Sequence, residues 1–143
     1  MNSYRFKLIY LVLFLSMVAC PQGEADMPTS DVADVEEISL KFTKALADRD
    51  YATAYLMTSE KFRSQYSMDQ LREDFENIVP TDWGAVGTIE VAGVIQEWPT
   101  KKTSDRAWVY VSIGGDVYSE AVSVILVTER GALKIREVEY GRP

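Results

Sequence analysis

Residues 106–140 read RAWVYVSIGGDVYSEAVSVILVTERGALKIREVEY, and the pattern of this stretch decides the fold class. Three runs rich in β-branched and aromatic residues are separated by two short polar breaks, Gly114-Gly115-Asp116 and Arg130-Gly131. Runs of this kind, joined by short turns that contain glycine, are typical of antiparallel strands in consecutive hairpins. The strands predicted here span residues 106–113, 117–129 and 132–140.

A fourth strand is predicted upstream, over residues 85–98, where Ile89, Val91 and Ile95 alternate onto one face. Glycines within and just before this run, Gly84, Gly87 and Gly93, would allow a long strand to bend sharply or to bulge. The closing strand carries a second irregularity, because its alternation slips by one residue between Ile135 and Val138. We therefore expect a sheet of four strands that is not regular throughout.

The residues before Pro80 have a helical period instead. Val35, Ile38, Phe42 and Ala45 recur at spacings of three and four, which predicts a helix that begins near Asp31 with Thr29 or Ser30 as its N-cap. Three further helical segments are predicted before Pro80. They are a helix capped by Asp50, a less regular turn or two over residues 59–67, and a helix opened by the capping box Ser67–Gln70 and stopped by Pro80.

Helices first and consecutive strands afterwards indicate an α+β fold. We expect the N-terminal helices to pack on one face of a strongly bent, four-stranded antiparallel sheet. The whole of residues 31–143 forms a single domain in this interpretation, with no internal repeat.

Two stretches resemble the nuclear transport factor 2-like superfamily, and in particular its small bacterial lipoproteins of unknown function. They are VEEISLKFTKALADRDYATAYLMTSEKF, residues 35–62, and the ending GALKIREVEY, residues 131–140. The resemblance covers about residues 31–140. It implies a sheet wrapped around helices into a cone with a cavity. Some members are enzymes that use Asp, Tyr or His in the cone, whereas many only bind, dimerise or serve as accessory domains.

The N-terminus indicates export. Arg5 and Lys7 precede an uncharged apolar run over residues 8–19, which is shorter than the roughly 20 residues of a spanning helix and is typical of a signal peptide. The segment LSMVACPQG, residues 15–23, resembles the lipobox of bacterial lipoproteins. This resemblance implies removal of residues 1–19 and a diacylglyceryl group, palmitate or a similar acyl chain, on Cys20. Ordinary secretion and an uncleaved membrane anchor are the alternatives.

Residues 20–30 then form a lipidated, flexible tether, because PQGEADMPTS is rich in Pro, Gly and polar residues and has no apolar period. Removal of Arg5 and Lys7 with the signal peptide leaves 13 basic against 22 acidic residues, a formal charge of −9. Such a domain repels nucleic acid. The chain has no histidine, and Cys20 is its one cysteine, so imidazole-based catalysis, disulfides and thiolate metal sites are excluded. No cofactor, metal site or catalytic residue is predicted.

Five aromatic residues, which we expect in the helix–sheet interior, are the candidate pocket-lining set, because aromatic rings with a polar tip can line an apolar cavity and supply one or two hydrogen bonds. The alternative is that they belong to the core or to a strand surface, and Trp108 and Tyr110 share one strand face that could equally meet solvent or a partner. The set comprises Tyr51, Tyr55, Trp83, Trp108 and Tyr110.

The sequence thus favours a lipid-anchored, non-catalytic binding or protein-interaction module of the bacterial envelope that faces the periplasm or the exterior. Its ligand would be a small apolar molecule in the cone or a protein on the open sheet face. An inhibitor or immunity-type protein that neutralises a basic partner is a special case. The alternatives are a homodimer through the sheet face and a small cofactor-independent isomerase or dehydratase. Such an enzyme would use a tyrosine beside a carboxylate, with Glu90, Asp116 and Glu120 as candidates.

Overall fold

The structure, a computed structural model, describes residues 27–142, so the predicted signal peptide and Cys20 lie outside the described residues. Four helices precede four strands, with one 3₁₀ turn between the two groups. In chain order the elements are α1 (Thr29–Ala47), α2 (Tyr51–Leu56), α3 (Glu60–Gln65), α4 (Met68–Ile78), the 3₁₀ turn (Thr81–Trp83), β1 (Thr88–Ile95), β2 (Asp105–Gly114), β3 (Ser119–Glu129) and β4 (Ala132–Tyr140).

Helix α1 begins two residues earlier than the sequence predicts. Its N-cap is Pro28, with φ of −51°, and the Pro28 carbonyl accepts the N–H groups of Asp31 at 2.9 Å and Val32 at 3.2 Å. The expected side-chain cap from Thr29 or Ser30 is therefore wrong. Proline supplies a fixed φ at a position where a backbone donor is not needed, so the helix can start without a capping hydroxyl.

The other capping predictions are confirmed. The Asp50 carboxylate accepts the Thr53 N–H at 3.1 Å at the start of α2. The Ser59 hydroxyl, which was not predicted as a cap, accepts the Phe62 N–H at 3.1 Å at the start of α3. At α4 the Ser67 hydroxyl accepts the Gln70 N–H at 3.1 Å, while the Gln70 amide oxygen accepts the Ser67 N–H at 2.8 Å. These short-range hydrogen bonds satisfy helix N–H groups that have no partner within the helix.

The strands pair antiparallel in the order β1-β2-β3-β4, so each strand lies next to its neighbour in sequence. The register shifts in β1 between Val91 and Gly93, where a bulge was expected. In β4, Glu137 pairs with Ile125 and Ile135 pairs with Leu126, which makes Arg136 the extra residue of a second bulge and confirms the predicted slip. Bulges bend a strand and increase its twist. Strand β1 itself is shorter than residues 85–98.

The helices pack on one face of this open sheet. Alternate residues of β2, from Ala107 to Ile113, are at most 1% exposed, as are Phe42 of α1 and Phe75 of α4. Burial of each such side chain contributes about 1.5–3 kcal/mol. The architecture is α+β as predicted, and it is consistent with the nuclear transport factor 2-like fold that the resemblance implies.

Hydrogen bonds connect the bulge of β4 to β2, and the segment between α2 and α3 to β4. The bulged Arg136 donates to both carboxylate oxygens of Asp105, at 2.7 Å and 3.0 Å, and the two side chains are 10% and 0% exposed. The segment between α2 and α3 runs beside β4, where the Ser59 N–H donates to the Ile135 carbonyl at 2.7 Å and the Ile135 N–H donates to Met57 at 3.0 Å. The outer edge of β4 is thereby hydrogen bonded to a non-strand segment.

Candidate functional site

Two of the predicted site residues, Trp108 and Tyr110, lie on the helix-free face of the sheet, so their expected place in the helix–sheet interior is wrong. Because side chains alternate along a strand, Trp108 and Tyr110 lie on the face opposite to the buried Val109. The register places Ile125 of β3 beside Trp108 and Gly93 of β1 beside Tyr110. This face is therefore partly apolar although no helix covers it in the described part of the chain.

A groove of about 500 Å³ runs across this face. Tyr110 and Trp108 form its walls together with Ile95, while Gly93 and Ser123 form a low floor because their side chains are absent or small. A Cβ atom at Gly93 would meet no atom within 4 Å, so the space beside the ring of Tyr110 is open. The concavity thus follows from small residues placed between large ones in the register.

An aromatic pair lies at one end of the groove. The rings of Trp98 and Trp108 are 6.2 Å apart between centroids and are tilted by 59°. The ammonium group of Lys101 lies 5.7 Å from the Trp98 ring, within the range of a cation–π contact, and is held by an ion pair of 2.6 Å with Glu97. Ile95 beside them is 40% exposed. The indole N–H groups of both tryptophans are buried and have no hydrogen-bond partner among residues 27–142.

Tyr51 lies elsewhere, in a polar cluster that joins α2 to α4. Its hydroxyl donates to a Glu76 carboxylate oxygen at 3.0 Å and accepts from the Arg49 guanidinium at 3.1 Å. Arg49 also donates to the Val79 carbonyl at 2.8 Å. Burial is the main reason that the pKa of Tyr51 is raised, and the Glu76 carboxylate adds to the effect while Arg49 opposes it.

The remaining two predicted residues have structural contacts. The Tyr55 hydroxyl is shared between the carbonyls of Tyr66 at 2.9 Å and Arg63 at 3.2 Å, which fixes α3 against α2. Trp83 is 41% exposed, and its ring lies 5.7 Å from that of Tyr118 at the β2–β3 turn. Tyr51, Tyr55 and Trp83 therefore do not line the groove that holds Trp108 and Tyr110.

Sequence reasoning missed Tyr140, at the end of β4. Its hydroxyl is buried without a hydrogen-bond partner in the described residues. Burial raises the pKa of Tyr140 far above its ordinary value, and the nearby charge of Asp74 raises it further. Sequence reasoning also missed Ile95, Gly93 and Ser123 as groove residues. The alternation of side chains around Trp108 was the signal available in the sequence. The positions of these three residues beside Trp108 and Tyr110 depend on the strand register.

The carboxylates considered for catalysis do not gather in the groove. Glu90 and Asp116 are exposed, and Glu120 is half-buried opposite Ile113 on the helix-facing side of β3. A second concavity of about 360 Å³, between α3 and β4, is bordered by Lys61 and Lys102. Among residues 27–142, no group of three or more acidic, His or Cys side chains could hold a metal ion.

No protein-family model matches the chain, and the comparison with curated proteins finds no match. Within the part of the chain that the structure describes, no helix is both long and apolar enough to cross a bilayer.

Proposed function

We propose that this protein is a lipid-anchored, exported, non-catalytic binding module of the bacterial envelope. The groove over Trp108 and Tyr110 is its binding site for an apolar ligand. The observation that carries this proposal is the size and lining of the groove. Ligand sites have volumes of about 300–1,000 Å³ and are mostly apolar with a few polar groups. A groove of about 500 Å³ with two aromatic walls and the Ser123 hydroxyl at its floor fits that description.

The N-terminal sequence supports the anchor. A charged start, the apolar run over residues 8–19 and the lipobox-like residues before Cys20 are the features that signal lipoprotein processing. Each buried methylene of an acyl chain contributes about 0.8 kcal/mol, so two or more chains on Cys20 would hold the domain at the membrane.

The chemistry of the groove supports binding rather than turnover. Its acidic lining residue is Glu139, and the cationic Arg142 is occupied by the backbone carbonyl of Ser119. In the described part of the chain, the groove holds no imidazole or thiol, and its lining has more apolar than polar surface, as a binding site for an apolar ligand requires.

The anchor is tested on the full chain expressed in a bacterium. We expect mass spectrometry of the mature protein to show an N-terminal Cys20 that carries a diacylglyceryl thioether, and we expect the protein to float with membranes in a density gradient. The matched control is Cys20→Ser, which keeps the apolar run and removes the sulfur. Flotation of Cys20→Ser equal to that of the wild type would reject the lipid anchor.

The groove is tested with the apolar fluorescent probe N-phenyl-1-naphthylamine. Gly93→Leu places an isobutyl group in the open space beside Tyr110 without a backbone clash, so we expect probe affinity to fall about tenfold or more. Glu90→Leu adds the same side chain to the same strand at an exposed position outside the groove lining, and it should leave affinity unchanged. Equal affinities for wild type and Gly93→Leu would reject the groove as the site.

The same sheet face is the binding surface if the ligand is a protein, and a second copy of the chain bound there would give a homodimer. The inhibitor or immunity-type role instead uses the formal charge of −9 to attract a basic partner. Sedimentation of the detergent-solubilised protein separates these cases, because a homodimer doubles the mass without any added partner.

The second candidate function is a small cofactor-independent isomerase or dehydratase. It is favoured by one contact, the 3.0 Å hydrogen bond between the Tyr51 hydroxyl and the Glu76 carboxylate. Proton abstraction beside a carbonyl would exchange a substrate C–H for deuterium in heavy water. Exchange in an envelope metabolite extract that requires wild-type protein and disappears with Glu76→Gln would favour the enzyme over the binding module.

A further inference from the structure

The start of the described chain lies at one end of the sheet. The backbone N–H of Met27 donates to the side-chain oxygen of Gln96 at 2.7 Å, and Gln96 directly follows Ile95, the last residue of β1. Met27 also packs against the hydrophobic core. The chain that leads back to Cys20 therefore leaves the domain at the end of the sheet where Ile95 pairs with Trp108.

The distance between this point and the proposed anchor has an upper bound. Seven residues separate Cys20 from Met27, and a fully extended chain spans at most about 3.6 Å per residue, so the tether reaches about 25 Å. A domain of this size has a radius of gyration of about 13 Å. A tether of this length, attached at Met27, keeps the end of the sheet that holds Gln96 within about 25 Å of the bilayer, so this end can contact the membrane surface.

The side chains at this end are those that occur at membrane interfaces. Trp98 and Trp108 form the tilted pair, Ile95 is 40% exposed, and Lys101 and Lys102 follow in the β1–β2 loop. Tryptophan is enriched where an apolar medium meets water, and lysine keeps its ammonium at the headgroups while its stem contacts apolar groups.

The opposite end of the sheet lies far from the point where the tether attaches. Trp108 and Gly114 are six positions apart along β2, or about 20 Å at 3.3 Å per residue. Trp83 contacts Tyr118 at that far end, next to the turn in which the Gly115 N–H donates to the Tyr118 carbonyl at 3.0 Å. The domain thus carries one tryptophan at the far end and two at the tethered end.

We infer that the tethered end of the sheet, defined by Ile95, Trp98, Lys101, Lys102 and Trp108, rests in the headgroup region of the bilayer. This inference rests on the proposed lipid anchor. It deepens the binding proposal, because the groove that begins at Ile95 and Trp108 then opens at the membrane surface. The ligand class it selects is an amphiphile that reaches the groove from the bilayer rather than from water.

Single-tryptophan variants of the full, lipidated chain test the orientation. Each variant keeps Trp83, Trp98 or Trp108 and has phenylalanine at the other two positions. The proteins are reconstituted in vesicles of phosphatidylcholine and phosphatidylglycerol that carry bromine near the headgroup end of the acyl chains. Bromine quenches tryptophan only at short range. We expect strong quenching of Trp98 and Trp108 compared with unbrominated vesicles, and no quenching of Trp83.

A labelling experiment on the unsubstituted lipidated chain covers the case in which a tryptophan variant does not fold. An amine-acylating reagent should modify Lys102 more slowly in vesicles than in detergent, whereas Lys44 should react equally in both. Lys44 is a matched exposed lysine about 22 Å along α1 from Thr29, at 1.5 Å per residue. The contrast between the two lysines reports orientation without any substitution.

The outcomes separate this inference from the proposal beneath it. Protein that floats with the vesicles but shows equal quenching of all three tryptophans, or equal protection of Lys102 and Lys44, keeps the anchor and overturns the membrane-facing end. Protein that fails to float overturns both. Protection of Lys102 that depends on protein concentration and occurs equally in detergent assigns the surface to a second copy of the chain and overturns the bilayer as its occupant.

Discussion

Tyr140 shows how one buried hydroxyl makes stability depend on pH. The phenol is desolvated, has no hydrogen-bond partner among residues 27–142, and lies in the negative field of Asp74, so the pKa of Tyr140 is raised in the folded state. The neutral phenol is therefore favoured by folding. The resulting stability is fully present below the unfolded value of about 10 and is lost as the pH rises above it, by about 1.4 kcal/mol per pH unit.

Tyr140→Phe should remove this dependence. We expect the unfolding free energy, measured with urea at pH 8 and pH 11, to fall less in the variant than in wild type by about 1 kcal/mol. At pH 8 the variant should be at least as stable as wild type, because the lost hydroxyl made no hydrogen bond. An equal decline in both proteins, or a large loss of stability at pH 8, would contradict the description of this side chain.

The sequence alone does not predict which residues far apart along the chain will contact each other in the fold. Asp105 and Arg136 are 31 positions apart, and their buried ion pair depends on the bulge that makes Arg136 an extra residue in β4. Tyr51 was predicted to line a pocket, but its hydroxyl contacts Glu76, which comes from α4. Each contact is decided by how two elements pack, and no local pattern records that.

At the scale of elements, the β2–β3 turn makes a prediction about two glycines. A Cβ atom on Gly115 would lie 2.3 Å from a ring carbon of Tyr118, whereas a Cβ atom on Gly93 would meet nothing within 4 Å. Gly115→Ala should therefore displace Tyr118 from Trp83 and cost about 1–3 kcal/mol. Gly93→Ala, the matched substitution in β1, should be neutral or stabilise by up to about 1 kcal/mol through a less flexible unfolded chain.

Urea unfolding of both variants checks these values, and tryptophan fluorescence reports whether the tilted Tyr118 ring has moved away from Trp83. Equal effects of the two substitutions would show that the close approach of Tyr118 to Gly115 does not control the turn.

The elements with a local chemical signal were predicted well. The caps at Asp50 and Ser67 were predicted because the capping hydrogen bonds join residues three apart in sequence. The start of α1 was misplaced because Pro28 replaced the expected hydroxyl cap. The predicted β1, residues 85–98, was too long at both ends, because pairing with β2 runs only from Thr88 to Ile95.

At the scale of the whole molecule, the α+β class was predictable because the change from helical to alternating period occurs once, after Pro80. The binding groove was only partly predictable. Alternation placed Trp108 and Tyr110 on one face, but Val109 and Val111 on the other face are also apolar. Which face the helices cover is decided by total packing, and the neighbours Gly93 and Ser123 come from two other strands.

The hydrogen bonds between Ile135 and the Met57–Ser59 segment affect whether the edge of the sheet can pair with another molecule. An unpaired strand edge is a template for extension by another molecule, and proteins confined to a thin layer meet one another often. Of the two outer strands in the described sheet, β4 is shielded by this segment, and β1 is interrupted by the irregularity at Val91/Gly93. These two features make edge-to-edge pairing between neighbouring copies of the domain less favourable.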